Sequence, residues 1–228
     1  MASFQSQTQD TTSVLEQLQR QLHDTYQTEH QYDVRDFLIT DPGVARAIGG
    51  DNVLTSNGES LFLCEEDDGL SLSLYLEKEI LKRLEQAGPI DEEQLDDLCK
   101  VIEGLSHFNY VIWRASRDRS VTLLELELQA EVDKFVSTMQ LASAQQDAEL
   151  MNVLHTRLFD QVRFSDDLDE EQAARYRSAN EFAARFCRQL RTRFLEDADG
   201  TLPELRRFFR LPLRQKISHI QSSVYATR

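Results

Sequence analysis

Residues 120–147 read SVTLLELELQAEVDKFVSTMQLASAQQD. Val121, Leu124, Leu128, Val132, Phe135 and Met139 recur at spacings of three and four, the repeat of one helix face. Leu123, Leu126 and Ala130 widen that face, so the segment predicts a helix apolar around much of its circumference and central to a core. Leu126 and Leu128 alternate with glutamates, and 121–128 alone would also fit a strand. The continuation through QAEVDKFVSTMQLASAQQ decides for helix. Ser120 is placed to cap it.

Working outward, the same repeat appears on both sides. Asp91 precedes Glu92, Glu93 and Gln94, an acidic first turn that suits a helix N-terminus. Leu95, Leu98, Val101, Ile102, Leu105, Phe108 and Ile112 form the stripe behind it. Gly104 interrupts that stripe at about 1 kcal/mol relative to alanine and marks a place where a neighbour packs closely. A helix over 147–161 buries Leu150, Val153, Leu154 and Leu158, and one starting at Asp169 carries Tyr176, Ala179, Ala183, Phe186, Leu190 and Phe194. Ser13 caps a first helix through Leu15, Leu18, Leu22 and Tyr26, with Glu16 three residues on. His23 and His30 read as exposed on its polar side. Asp41-Pro42-Gly43 opens a short helix ended by Gly49-Gly50. Residues 51–60 read as loop.

At 60–76 the period changes to two. Leu70, Leu72, Leu74 and Leu76 alternate with Ser71, Ser73 and Tyr75, after the apolar run Leu61–Cys64 and a turn containing Glu65–Asp68 and Gly69. The expectation is a mainly α fold: an antiparallel bundle of six or seven helices with one inserted β-hairpin, about residues 60–76. Residues 1–12 read as a disordered lead, 13–228 as a single helical domain with its core bundle at about 91–196, and 197–228 as a basic extension. In that extension Pro203 and Pro212 flank Phe208-Phe209, and a last short helix runs over 213–224.

Charge is lopsided. The chain of 228 residues carries a formal net charge of −15, and residues 1–113 hold 22 acidic against 7 basic side chains. Residues 173–228 hold 12 basic against 5 acidic. That polarity disfavours nucleic acid and favours an acidic protein partner or a second copy of the chain. Cys64, Cys99 and Cys187 form neither a C-x-x-C pair nor a zinc spacing, and suit a reducing, cytoplasmic setting. No run of apolar residues is long enough to span a membrane.

Three sets of residues bear on chemistry. Glu103 and His107 are i and i+4 on one helix, as are Glu127 and Glu131 on the next. If those helices are antiparallel neighbours the four converge, and His155 could join them. Carboxylates with imidazole suit Fe, Mn or Zn. Di-metal bundles use Glu-x-x-His, at spacing three and on two helices, whereas here the spacing is four and occurs once. Glu125, Gln129 and Asp133 read as an ordinary wet face of the same helix. The second set is an arginine patch of Arg175, Arg177, Arg185, Arg188, Arg191, Arg206, Arg207 and Arg210, expected to lie against the acidic helix starts at 91–97 and 166–171 or against a partner. The third is the catalytic inventory, which is bare: there is no G-x-S-x-G and no phosphate-cradling glycine pattern. The leading expectation is a non-enzymatic adaptor, regulatory or chaperone-like protein. The alternatives are a metal-binding bundle or metalloenzyme with the Glu/His set, and a nucleic-acid binder through the arginine helix 173–194.

Overall fold

The computed structural model describes residues 13–29, 32–50, 58–66, 69–86, 90–162 and 168–225. Among these lie nine α-helices, a 3-10 turn, a π-helical turn and a three-stranded sheet. The lead at 1–12, the turn at Asp67-Asp68 and His30 fall outside the described residues.

Helix starts follow their caps. The Ser13 hydroxyl accepts from the Glu16 amide ahead of α1 (Val14–Tyr26), and Asp41 accepts from the Gly43 and Val44 amides ahead of α2 (Pro42–Gly49). Strands β1 (Leu38–Ile39), β2 (Glu59–Glu66) and β3 (Gly69–Leu76) precede α3 (Lys78–Leu84). Asp91 caps α4 (Glu92–Ala115). Helix α5 (Leu123–Ala144) starts later than expected, because the Thr122 hydroxyl, not Ser120, accepts from the Glu125 amide. Leu123 is consequently on the first turn and 58% exposed. Helix α6 (Ala148–His155) runs into the π turn Thr156–Asp160. Asp169 and Gln172 form a reciprocal capping box at α7 (Glu170–Glu196), followed by α8 (Ala198–Arg210) and α9 (Leu213–Tyr225).

Two features correct the expected bundle of six or seven helices with one clean hairpin. Helix α8 forms through Pro203, which sits in its second turn. The ring removes the amide bond that residue 203 would make and crowds the carbonyl four residues back, a local cost set against the burial of Leu205, Phe208 and Phe209 on the helix's apolar side. The hairpin, in turn, is part of a sheet in the order β1-β3-β2. Strand β1 pairs parallel to β3 (Leu38 with Leu74, Ile39 with Tyr75), and β2 pairs antiparallel to β3 (Glu59 with Leu76, Leu63 with Leu72). Two residues of β1 are too few to show a period of two, which is why the third strand escapes the sequence. Nor is the leucine row covered along its length. Leu74 and Leu76 are fully buried, but Leu70 is 38% exposed and lies toward the hairpin tip.

Helix α5 is surrounded by α4, α7, α6 and α1. Its residues Leu128, Val132, Phe135 and Met139 are fully buried, as are Val101, Ile102, Leu105 and Phe108 of α4. Contacts between Glu103 and Lys134 and between Tyr110 and Glu125 show that α4 and α5 run antiparallel. Gly104 is the expected close approach: a Cβ there would stand 2.9 Å from Leu74 Cδ1 and 3.4 Å from Leu76 Cδ2. The missing side chain is what lets the base of the sheet rest on α4. Among the described residues no helix is long and apolar enough to cross a membrane.

Candidate metal centre

Helix α5 carries two polar sets on opposite sides. Glu125, Gln129 and Asp133 form one, and it is not a wet face: they are 3%, 0% and 2% exposed. The Asp133 carboxylate accepts from Ser106 Oγ at 2.5 Å, from Gln129 Nε2 at 2.8 Å and from the Tyr26 hydroxyl. Burial pushes Asp133 up to about 6 against those donors. Tyr110 donates to Glu125 at 2.6 Å. Lys216 of α9, fully buried, donates to Gln129 Oε1 and lies over the Tyr110 and Phe208 rings, 4.7 Å from each centroid. Burial brings its ammonium down to about 7, with Glu125 and Asp133 opposing. Nearly every donor here has an acceptor, so this set is a structural tie between α1, α4, α5 and α9.

The opposite side of α5 is different in kind. Glu127 and Glu131 face Glu103 and His107 of α4. One ligating atom from each of Glu103, His107 and Glu127 lies within 4.8 Å of the other two. His107 Nε2 stands 3.7 Å from Glu127 Oε2, is buried, and has no hydrogen-bond partner. Burial lowers the His107 pKa although Glu103 pulls it upward, so at neutral pH the ring is uncharged and one nitrogen carries a free lone pair. Glu131 is held differently. Lys134 donates to it at 2.6 Å and to Glu103 at 3.2 Å. Burial would depress Lys134, but Glu103 and Glu131 hold it well above its ordinary value. Burial would likewise raise Glu103, yet Lys134 and His107 outweigh it and keep it ionised. Glu127 has weaker company: burial and Glu103 push it up to about 8, against Lys134 and against Arg175, whose Nε is 3.7 Å away.

His155 does not join this group. Its Nε2 is 2.9 Å from the Ala184 carbonyl, and its ring packs against Phe159 and Phe135 at 5.0 and 6.2 Å. A residue absent from the sequence reading lies beside the group, outside its 4.8 Å circle: Glu59, at the start of β2. A Cβ on Gly104 would stand 3.0 Å from Glu59 Oε2, and that oxygen is buried with no hydrogen-bond partner. Burial, then Glu103 and Glu127, raise its pKa well above the usual carboxylate value. Nothing in a loop-like stretch such as DNVLTSNGES signals this, because the register that brings Glu59 inward is set by Leu74 and Leu76 on the paired strand.

The arginine patch is dispersed. Arg175 faces Glu127, and Arg191 donates to the Asn152 carbonyl of α6 at 3.2 Å. Arg206 and Arg210 donate to the Thr25 and Tyr26 carbonyls, both at 3.0 Å, and so close the C-terminal end of α1. Arg177, Arg185, Arg188 and Arg207 are exposed, with Arg185 4.0 Å from Glu181. Among the described residues these partners, rather than the acidic starts of α4 and α7, take Arg175, Arg191, Arg206 and Arg210. His23 is buried at 7% exposure, its Nδ1 2.7 Å from Thr28 Oγ1. Cys187 is buried and its thiol is raised well above the ordinary value by burial, which leaves it without thiolate character.

No family model matches the chain, and no curated protein and no solved structure matches it.

Proposed function

We propose that this protein binds one divalent transition-metal ion through Glu103, His107 and Glu127. The observation that carries this reading is the buried, unpartnered Nε2 of His107, facing two carboxylates within 4.8 Å. A buried nitrogen left without a partner costs about 1–3 kcal/mol unless something else satisfies it. An ion with bonds of about 2.0–2.2 Å sets tetrahedral donors about 3.4 Å apart. His107 Nε2 and Glu127 Oε2 are near that separation already, at 3.7 Å, and a pair at the 4.8 Å limit closes by about 1.4 Å. One imidazole with carboxylates favours Fe, Mn or Zn over calcium or magnesium. Lys134 orients Glu103 from behind, as an outer partner of a ligating carboxylate does. The site supports this reading better than the adaptor role expected from composition.

The test is metal analysis of full-length protein purified without chelator or a metal-affinity tag, followed by titration with Zn2+, Mn2+ and Fe2+ under anaerobic conditions. One ion per chain is expected, with affinity falling at least a hundredfold in His107→Ala. Binding that is unchanged in His107→Ala, or no stoichiometric binding of any of the three, overturns the proposal.

A further inference from the structure

We infer that Glu59 is a fourth ligand to the same ion, carried in by strand β2, so that metal binding fastens the sheet to the helices. This rests on the metal reading above and extends it to a residue outside the bundle.

Glu59 Oε2 is buried and makes no hydrogen bond. It lies against Gly104, the residue next to Glu103, at the one place on α4 where no side chain intervenes. The nearby cations are already engaged. Lys134 is shared between Glu103 and Glu131, and Arg175 faces Glu127. Were all four carboxylates (Glu59, Glu103, Glu127 and Glu131) ionised, as ligation by Glu59 and Glu127 requires, the two cationic side chains would leave two negative charges, which one divalent ion balances. A buried carboxylate oxygen with neither a donor nor a counter-ion is costly in a well-packed protein, and coordination removes that cost.

The backbone holds Glu59 in place. Its predecessor Gly58 has φ +75, a left-handed conformation, and a Cβ there would stand 2.7 Å from Ile80 Cδ1. The Gly58 carbonyl accepts from the Glu77 amide at 2.8 Å. Glu59 pairs with Leu76, which is fully buried, so register fixes which way the strand enters the site. The resulting donor set, three carboxylates and one imidazole, comes from β2, α4 and α5. An ion held by all four adds a bond between β2 and the two helices to the packing around Gly104.

The experiment uses the full chain, Glu59→Gln and His107→Ala, with Zn2+ for affinity and Co2+ as a spectroscopic probe. The glutamine is isosteric and neutral, and circular dichroism checks its fold. Hydrogen exchange of the Ser60, Leu61 and Leu76 amides is followed with and without Zn2+. Expected results are one Zn2+ per chain in both the parent and Glu59→Gln, with at least tenfold weaker affinity in the variant. The visible Co2+ spectrum should differ between the two, and Zn2+ should slow exchange of those amides in the parent alone. Weaker affinity with an unchanged Co2+ spectrum would mean that Glu59 acts only through its charge, and overturns the inference. So does equal affinity, or equal protection of the amides. In each of those cases loss of binding in His107→Ala leaves the three-ligand reading standing. A parent protein that binds neither ion overturns both.

Discussion

Replacing Gly104 by alanine sets two effects of opposite sign against each other. On a solvent-exposed helix face the change would stabilise by about 1 kcal/mol, because glycine loses more backbone entropy on becoming helical. Here the new methyl would meet Leu74 Cδ1 at 2.9 Å, Glu59 Oε2 at 3.0 Å and Leu76 Cδ2 at 3.4 Å. Both leucines are fully buried, so their side chains have little room to turn aside. Overpacking of this sort costs about 1–3 kcal/mol. The net expectation is a loss of about 0–2 kcal/mol, which for a chain of this length lowers the melting midpoint by about 2–4 °C per kcal/mol. Urea unfolding followed by circular dichroism reads the stability. The Zn2+ titration reads whether the Glu59 carboxylate has been pushed from α4. A Gly104→Ala protein about 1 kcal/mol more stable than the parent, with unaltered metal affinity, would show that the sheet does not rest on this turn, and the reasoning about Glu59 would go with it.

Lys134→Met leaves Glu103 and Glu131 buried without their shared ammonium and should cost about 3–5 kcal/mol at pH 7, read as a lower urea midpoint. Lys216 sets a pH dependence of definite sign. Its pKa is about 7 in the folded chain against 10.5 as the ordinary value, so between those limits the unfolded chain binds the additional proton. Stability should therefore rise with pH from 7 toward 10, by on the order of a few kcal/mol. Lys216→Met should flatten that rise, and an identical slope in the variant would contradict it. Arg206→Ala removes donors to the Thr25 and Asp24 carbonyls and should cost about 0.5–1 kcal/mol, with faster hydrogen exchange confined to the last turn of α1.

The legible and the hidden parts of this fold divide on physical grounds. Long apolar stripes behind a capping residue are local signals, and Ser13, Asp91 and Asp169 cap helices where that pattern places them. The i and i+4 spacings on α4 and α5 likewise put Glu103, His107 and Glu127 together, because antiparallel packing of two stripes leaves little freedom in register. Polar residues are harder to place. Glu125, Gln129 and Asp133 share one face by spacing, but spacing does not say whether water or Tyr26, Ser106 and Lys216 will satisfy them. Helix α8 is not legible in the segment around Pro203, because a proline inside it disfavours a helix locally while Leu205, Phe208 and Phe209 gain their burial from the rest of the core. Glu59 owes its position to a strand register and a left-handed glycine, neither of which leaves a periodic trace.

Directly after His155, the expected ligand that lies elsewhere, comes the wide turn at Thr156–Asp160. There the Gln161 amide reaches back to the Thr156 carbonyl at 3.0 Å, so the coil accommodates one residue more than an ordinary helical turn. That surplus works like a shim, rotating the phase of the residues beyond it by up to about 100°. Phe159 is thereby delivered to the interior at 5% exposure, while Leu158 is left half-covered. The phenyl ring, with that of Phe135, packs against the His155 imidazole. His155 beside this turn thus packs against rings and a carbonyl, whereas His107 keeps a buried Nε2 with no hydrogen-bond partner.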